Sequence, residues 1–292
     1  MTEHTEPTAS TELAEPAETS EPVETSKTVE KYEPVKTHEP AEMSGPAETG
    51  AQVETGASAR TGEPVEMTEA TDPYVLSTEA GARLLAGAPW KRIAVIGDSI
   101  SAGIREAVPG YQDLSWVDRI SAALRRVHPD LDEIRLARRD LTLTEIRRTQ
   151  LRPALDFRPD LVFLSGGGND FIRPGFDPAT VRAELTEIVS RVRVTGADIL
   201  TIGMLDISRA GIVSAKHAEA IGRATRIVAR ITREVAREHG AIFVSFTDHP
   251  LCADAGIYCG DRLHLNCRGQ AFEAAEKMRA LAAHLAARSE AA

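Results

Sequence analysis

From residue 74 onward, short unbroken apolar runs alternate with longer stretches in which apolar residues return every three or four positions. The runs at 92–96, 133–137 (EIRLA), 160–165 (DLVFLS), 197–203 (ADILTIG) and 241–246 (AIFVSF) predict strands. The first, third and fifth are nearly continuous in apolar residues, the pattern of strands buried on both faces. Helices are predicted at 115–127, 143–155, 178–194, 213–239 and 268–288. Ser115 is placed to cap the first, which sets Trp116, Ile120 and Leu124 on one face. Asp177-Pro178 is a cap followed by a first-turn proline. In the fourth, Ile221, Ala224, Val228, Ile231 and Val235 share a face, and Gly240 ends the helix. Leu281 and Leu285 turn the last helix inward. Five strand–helix alternations predict a parallel sheet covered by helices on both faces. Ligands of such sheets sit beyond the carboxyl ends of the strands.

The first 73 residues follow no such period. They carry 17 of the 44 acidic residues, 4 of the 34 basic ones and 8 of the 16 prolines. The net charge of −10 therefore belongs to this part, and residues 74–292 are slightly basic. A six-residue unit recurs as EPAETS (15–20), EPVETS (21–26), EPVKTH (33–38), EPAEMS (39–44), GPAETG (45–50) and EPVEMT (63–68). Each unit offers one small apolar side chain beside Pro and Glu, so stacked units would bury almost nothing. The expectation is a disordered acidic spacer over 1–73 and one folded domain over 74–292.

Other features narrow the class. The first ten residues, MTEHTEPTAS, lack the basic start and apolar run of a secretion signal. No stretch approaches the ~18 apolar residues of a membrane helix. Cys252, Cys259 and Cys267 are odd in number and form no CxxC, which fits thiols in a reducing cytoplasm. A Cys252–Cys259 bridge is the alternative for an exported chain. The arginine pairs 125–126, 138–139 and 147–148 fit solvated helix faces better than a nucleic-acid site, since the domain is only weakly basic and has few aromatics to stack on bases.

Three separated segments carry candidate chemistry: GDSIS at 97–101, GGGND at 166–170 and DRLH at 261–264. Each alone is ordinary: a turn, a tight connection and a loop histidine. Asp261 and His264 are also possible ligands of a metal, though no third or fourth partner stands at a recognisable spacing. Together the segments supply the parts for acyl transfer. Ser99 follows the first strand as a nucleophile, and a serine hydroxyl needs a base. His264 is that base. Asp261, one turn away, can accept from the imidazole and hold its tautomer. The backbone N–H of Ser99 and the side-chain amide of Asn169 are donors for a tetrahedral oxyanion. A G-x-S-x-G elbow is excluded because position 101 is serine. The run from Gly166 misses the last glycine of a dinucleotide fingerprint, and neither a Walker-A sequence nor HExxH occurs.

On these residues the chain resembles the SGNH hydrolases, also called GDSL esterases/lipases, over roughly residues 90–288. GDSI at 97–100, GGND at 167–170 and DRLH at 261–264 match the family's blocks in the family's order. The resemblance implies an α/β, flavodoxin-like three-layer α/β/α sandwich around a five-stranded parallel sheet. It implies Ser99, Asp261 and His264 as catalytic triad, Asn169 as oxyanion donor, and no metal or organic cofactor. The family's further donor is a glycine N–H after the second strand. Asp140 holds that position, and no glycine occurs within 134–146. Its N–H is retained. A positive φ there is costlier for Asp than for Gly, and a carboxylate aimed at the oxyanion would raise the barrier.

The expected function is hydrolysis of a small-molecule carboxylic ester, such as an O-acyl group on a sugar or secondary metabolite, with no nucleic-acid or membrane partner. A thioesterase or acyltransferase would use the same triad. A catalytically impaired binding protein of this fold is the reading that Asp140 favours. Residues 104–114, 171–177 and 205–214 follow strand ends and are expected to shape the substrate pocket. Arg173 and Arg209 are candidates to meet an anionic substrate.

Overall fold

The structure, a computed structural model, describes residues 67–290, and the repeat within 1–66 lies outside the described residues. Five strands form one sheet: β1 (Arg92–Gly97), β2 (Asp132–Arg135), β3 (Leu161–Ser165), β4 (Asp198–Gly203) and β5 (Ile242–Ser245). All pairings are parallel, in the order β2-β1-β3-β4-β5. This is the flavodoxin-like order, and its reversal point lies between β1 and β3. The apolar runs sit where their composition requires. Ile93 to Ile96 and Leu161 to Leu164 are buried on both faces. β2, at the sheet's edge, is only partly buried and two residues shorter at its end than its apolar pattern suggests.

Helices α1 (Thr78–Leu84), α2 (Trp116–Val127) and α8 (Cys267–Glu290) pack together on one side. On the other side lie α3 (Leu143–Ile146), α4 (Arg152–Asp156), α6 (Pro178–Val194) and α7 (Ala215–Glu238). Between β3 and α6 comes α5 (Gly168–Ile172). Ser115 caps α2 in a reciprocal capping box with Asp118. Asp177 caps α6 through the N–H groups of Ala179 and Thr180. The helix expected at 143–155 is interrupted by a π-helical turn, Arg147–Leu151. Pro153 lacks the N–H that an α-helix would return to the Thr149 carbonyl, so the turn widens just before it.

The packed chain begins before Tyr74. Glu69 grips Arg119 through two contacts, 2.6 and 3.0 Å long. Asp72 is buried and accepts from Tyr74 N (3.0 Å), the Tyr111 hydroxyl (2.8 Å) and Arg268 Nε (2.9 Å). Two carboxylates that composition assigns to the acidic spacer are thus partners of domain arginines. Cys252, Cys259 and Cys267 are unpaired and buried, and burial pushes the Cys259 thiol up to about 12. Arg125, Arg126 and Arg147 are engaged by Glu133, Glu79 and Glu184. Among the described residues, no helix is long and apolar enough to cross a membrane.

Candidate active site

The carboxyl end of β1 is held in an unusual backbone shape. Gly97 has φ 136°, and a Cβ there would lie 2.1 Å from the Ser165 carbonyl oxygen, so only glycine fits. Ser165 O accepts from Asp98 N at 3.1 Å, and Ser165 N donates to Ser101 Oγ at 3.1 Å. The ends of β1 and β3 are stitched together by these bonds. On the other flank the chain just after β2 still donates Arg138 N to Gly97 O at 3.2 Å, and a side chain completes the pairing. Gln150, from the π-turn, is buried, accepts from Gly97 N at 2.7 Å and donates to Gly97 O at 2.9 Å. The strand that delivers Ser99 is therefore fixed on both edges.

Ser99, Asn169 and His264 line one cavity at the carboxyl edge of the sheet. About 880 Å³ of unfilled space lies between its walls, open solvent at the mouth included. Among the described residues no acceptor is bonded to Ser99 N–H. Asn169 Nδ2 donates to Leu141 O at 3.0 Å, which orients the amide and leaves its second N–H for another acceptor. Gly167 (φ 103°) turns the chain from β3 into α5, so Asn169 sits in that helix's first turn rather than in an open loop.

His264 is buried, and Asp261 is bound to it in two ways and to its neighbour Leu263 in a third. Asp261 Oδ2 stands 2.6 Å from His264 Nδ1, while Oδ1 accepts from Leu263 N (2.9 Å) and His264 N (3.0 Å). Burial pushes the Asp261 carboxyl up, but these bonds outweigh it and hold it below the usual range. With Nδ1 committed to Asp261, Nε2 is the free ring nitrogen, and it is buried without a hydrogen-bond partner. No hydrogen bond joins it to Ser99.

Asp140 stands apart. Its φ of 64° is the left-handed conformation that makes glycine the easier residue there. It is exposed and does not line the cavity; its carbonyl accepts from Arg173 Nη2. The carboxylate thus does not occupy the space facing Ser99. Arg173 and Arg209 are also outside the cavity lining. Arg173 also pairs with Glu145, and Arg209 donates to the carbonyls of Thr247 and His249. The three segments expected to shape the pocket do contribute, through Ile104, Phe171, Ile172, Leu205 and Ile207.

Two buried carboxyls in the cavity wall escape the sequence reading. Asp98 accepts from Ile100 N at 3.0 Å, and burial, with Asp170 nearby, pushes its carboxyl up to about 7. Glu273, on α8, pairs with Lys277 at 2.7 Å, and both are buried. Lys277 Nζ lies 3.1 Å from the centre of the Trp116 ring. Burial pulls Lys277 down to about 8 against the opposing pull of Glu273. An i,i+4 Glu–Lys pair normally signals a solvated helix face, so nothing in the sequence marks this one as internal. Gln150 did leave a signal: it stands on the apolar stripe of Leu143, Ile146 and Ala154.

Residues 95–272 match the GDSL-like Lipase/Acylhydrolase family. No curated protein matches the chain. Among solved structures, similarity extends to LAE5, an alpha/beta hydrolase enzyme from the metagenome of Lake Arreo, Spain. It is 20% identical, with 65% of this chain and 94% of that chain covered and a TM-score of 0.53. Axe2, an acetylxylan esterase from Geobacillus stearothermophilus, is 17% identical over the same shares, also with a TM-score of 0.53. Esterase EstA from Pseudoalteromonas sp., in a structure inhibited by monoethylphosphonate, is 17% identical over 67% of this chain and 98% of that one, with a TM-score of 0.52.

Proposed function

The chain belongs to the GDSL-like lipase/acylhydrolase family, a family of ester hydrolases, and on that premise we propose that it cleaves a small-molecule carboxylic ester through a covalent acyl-enzyme on Ser99. The observation that carries this reading is the buried, unpartnered Nε2 of His264 in the cavity that Ser99 lines, with Nδ1 fixed by Asp261.

In the first half-reaction His264 Nε2 takes the Ser99 proton as Oγ bonds to the ester carbonyl carbon. Asp261 stabilises the imidazolium. The oxyanion is met by Ser99 N–H and the second N–H of Asn169, with Asp140 N–H as a further donor. The bond from the carbonyl carbon to the alkoxy oxygen then breaks, and the alcohol leaves with the proton held on Nε2. Water repeats the sequence: His264 takes its proton, its oxygen bonds to the acyl carbon, and the acid leaves as the proton returns to Ser99. Three unpaired buried thiols support a reducing, cytoplasmic setting.

The exposed position of Asp140 favours a working site over the impaired alternative. Intact-mass labelling with a small fluorophosphonate tests the assignment without knowledge of the substrate. One adduct is expected on the wild-type chain and none on Ser99→Ala. An unlabelled, folded wild-type chain refutes an activated Ser99.

A further inference from the structure

The cavity wall says what kind of acyl group Ser99 receives. His264 protonates the leaving alcohol, so the alcohol must lie on the histidine side of Ser99. The acyl chain therefore runs the other way. His264 lies three residues before α8, which packs in the helix layer of α2, whereas α7 belongs to the opposite layer. Toward that opposite layer the cavity is walled by Ile202 from β4, Met204 just after it, Ile207 from the turn that follows, and Ile221 from α7.

The rest of the lining argues against an anionic acyl group. No Lys or Arg lines the cavity, whereas Asp98 and Glu273 do, so it offers no cation for an anionic acyl group. Tyr258 lends no free hydroxyl, because its OH donates to Cys252 O at 3.2 Å. The rim is apolar as well. Among the described residues five large apolar side chains are exposed, and two of them, Ile172 at 55% and Leu263 at 45%, line this cavity. They stand on α5 and on the Asp261–His264 loop, where water-exposed apolar surface is useful only to an apolar visitor.

We propose that the site takes a neutral, apolar acyl chain longer than acetyl, seated against Ile202, Met204, Ile207 and Ile221. The inference rests on the serine-esterase reading above for the direction of the chain, but the apolar seat itself does not need catalysis.

The experiment compares p-nitrophenyl acetate, butanoate and octanoate as substrates of the full chain. Calorimetry then measures binding of methyl octanoate and methyl acetate to Ser99→Ala. Each buried methylene is worth roughly fourfold, so kcat/KM should climb along the series by about 100-fold or more. Ser99→Ala should bind the octanoate ester and not the acetate. Ile221→Trp and, independently, Ile207→Trp fill the seat and should lower the octanoate-to-acetate ratio by about tenfold or more. Two half-buried positions guard against a variant that fails to fold. A flat or acetate-favouring series on a chain that a fluorophosphonate labels overturns the acyl-class inference and leaves the esterase reading standing. Absence of labelling together with octanoate binding to Ser99→Ala overturns the esterase reading and upholds the apolar seat. A preference for octanoate that neither tryptophan reduces overturns the wall assigned here.

Discussion

Gln150 offers the most direct test of how the nucleophile is held. Replacing it with leucine keeps much of the volume and removes both bonds to Gly97, now 2.7 and 2.9 Å long. Gly97 O keeps a partner in Arg138 N at 3.2 Å. Gly97 N–H loses its acceptor in a buried setting, and an orphaned buried donor costs about 1–3 kcal/mol, with about 1 kcal/mol more for the lost amide donor. The expected loss of stability is thus about 2–4 kcal/mol, a large share of the ~5–15 kcal/mol typical of a domain. Urea denaturation at constant pH measures it. The second readout is the rate at which Ser99 reacts with a fluorophosphonate, taken far below the unfolding midpoint so that only folded chains count. A merely structural glutamine would leave that rate unchanged, whereas a positioning residue should slow it by about tenfold or more. Gln150→Glu sharpens the test, because its carboxylate can still accept from Gly97 N–H but repels Gly97 O once ionised. A destabilisation by Gln150→Leu below about 0.5 kcal/mol, the range of an ordinary surface change, would refute the reasoning.

Three further outcomes are expected. The Asp98 carboxyl is raised to about 7 from an ordinary 3.8, so the native state holds a proton that the unfolded chain has released. Its stabilising contribution is complete below the unfolded value and is lost as pH rises through about 7. Asp98→Asn keeps an acceptor for Ile100 N–H, so its stability relative to wild type should increase between pH ~4 and ~8, by at most about 4 kcal/mol; parallel denaturation curves at the two pH values decide this. Asp140→Gly should leave kcat/KM at or above the wild-type value, since the N–H is retained and the left-handed backbone is easier for glycine, and a tenfold fall would show that the carboxylate takes part. Asn169→Ala should lower kcat by about 100-fold to 1,000-fold with little change in KM, and an equal rise in KM would assign the amide to substrate binding instead.

The sequence by itself determined the order of the five strands, the parallel sheet and the edge that carries Ser99 and Asn169. Those are consequences of local period and of chain order. A buried strand must read as an apolar run, a helix must repeat its apolar face, and a parallel crossover delivers each strand's end to the same edge. At Asp140 the sequence raised a positive φ only as a condition, and the structure supplies its value, 64°. What only the tertiary structure decided is which polar residues are partners. Glu69 and Asp72 look like spacer charges and are bound to Arg119 and Arg268. Glu273 and Lys277 look like a solvated pair and are buried beside the cavity. Gln150 breaks an apolar stripe, and only the fold brings it against Gly97, 53 residues away along the chain. The physical reason is common to all of these. Apolar burial is non-directional and accumulates along an element, so period reveals it, whereas a hydrogen bond or ion pair depends on two atoms meeting at the right distance and angle, and that distance is set by the packing of the whole domain.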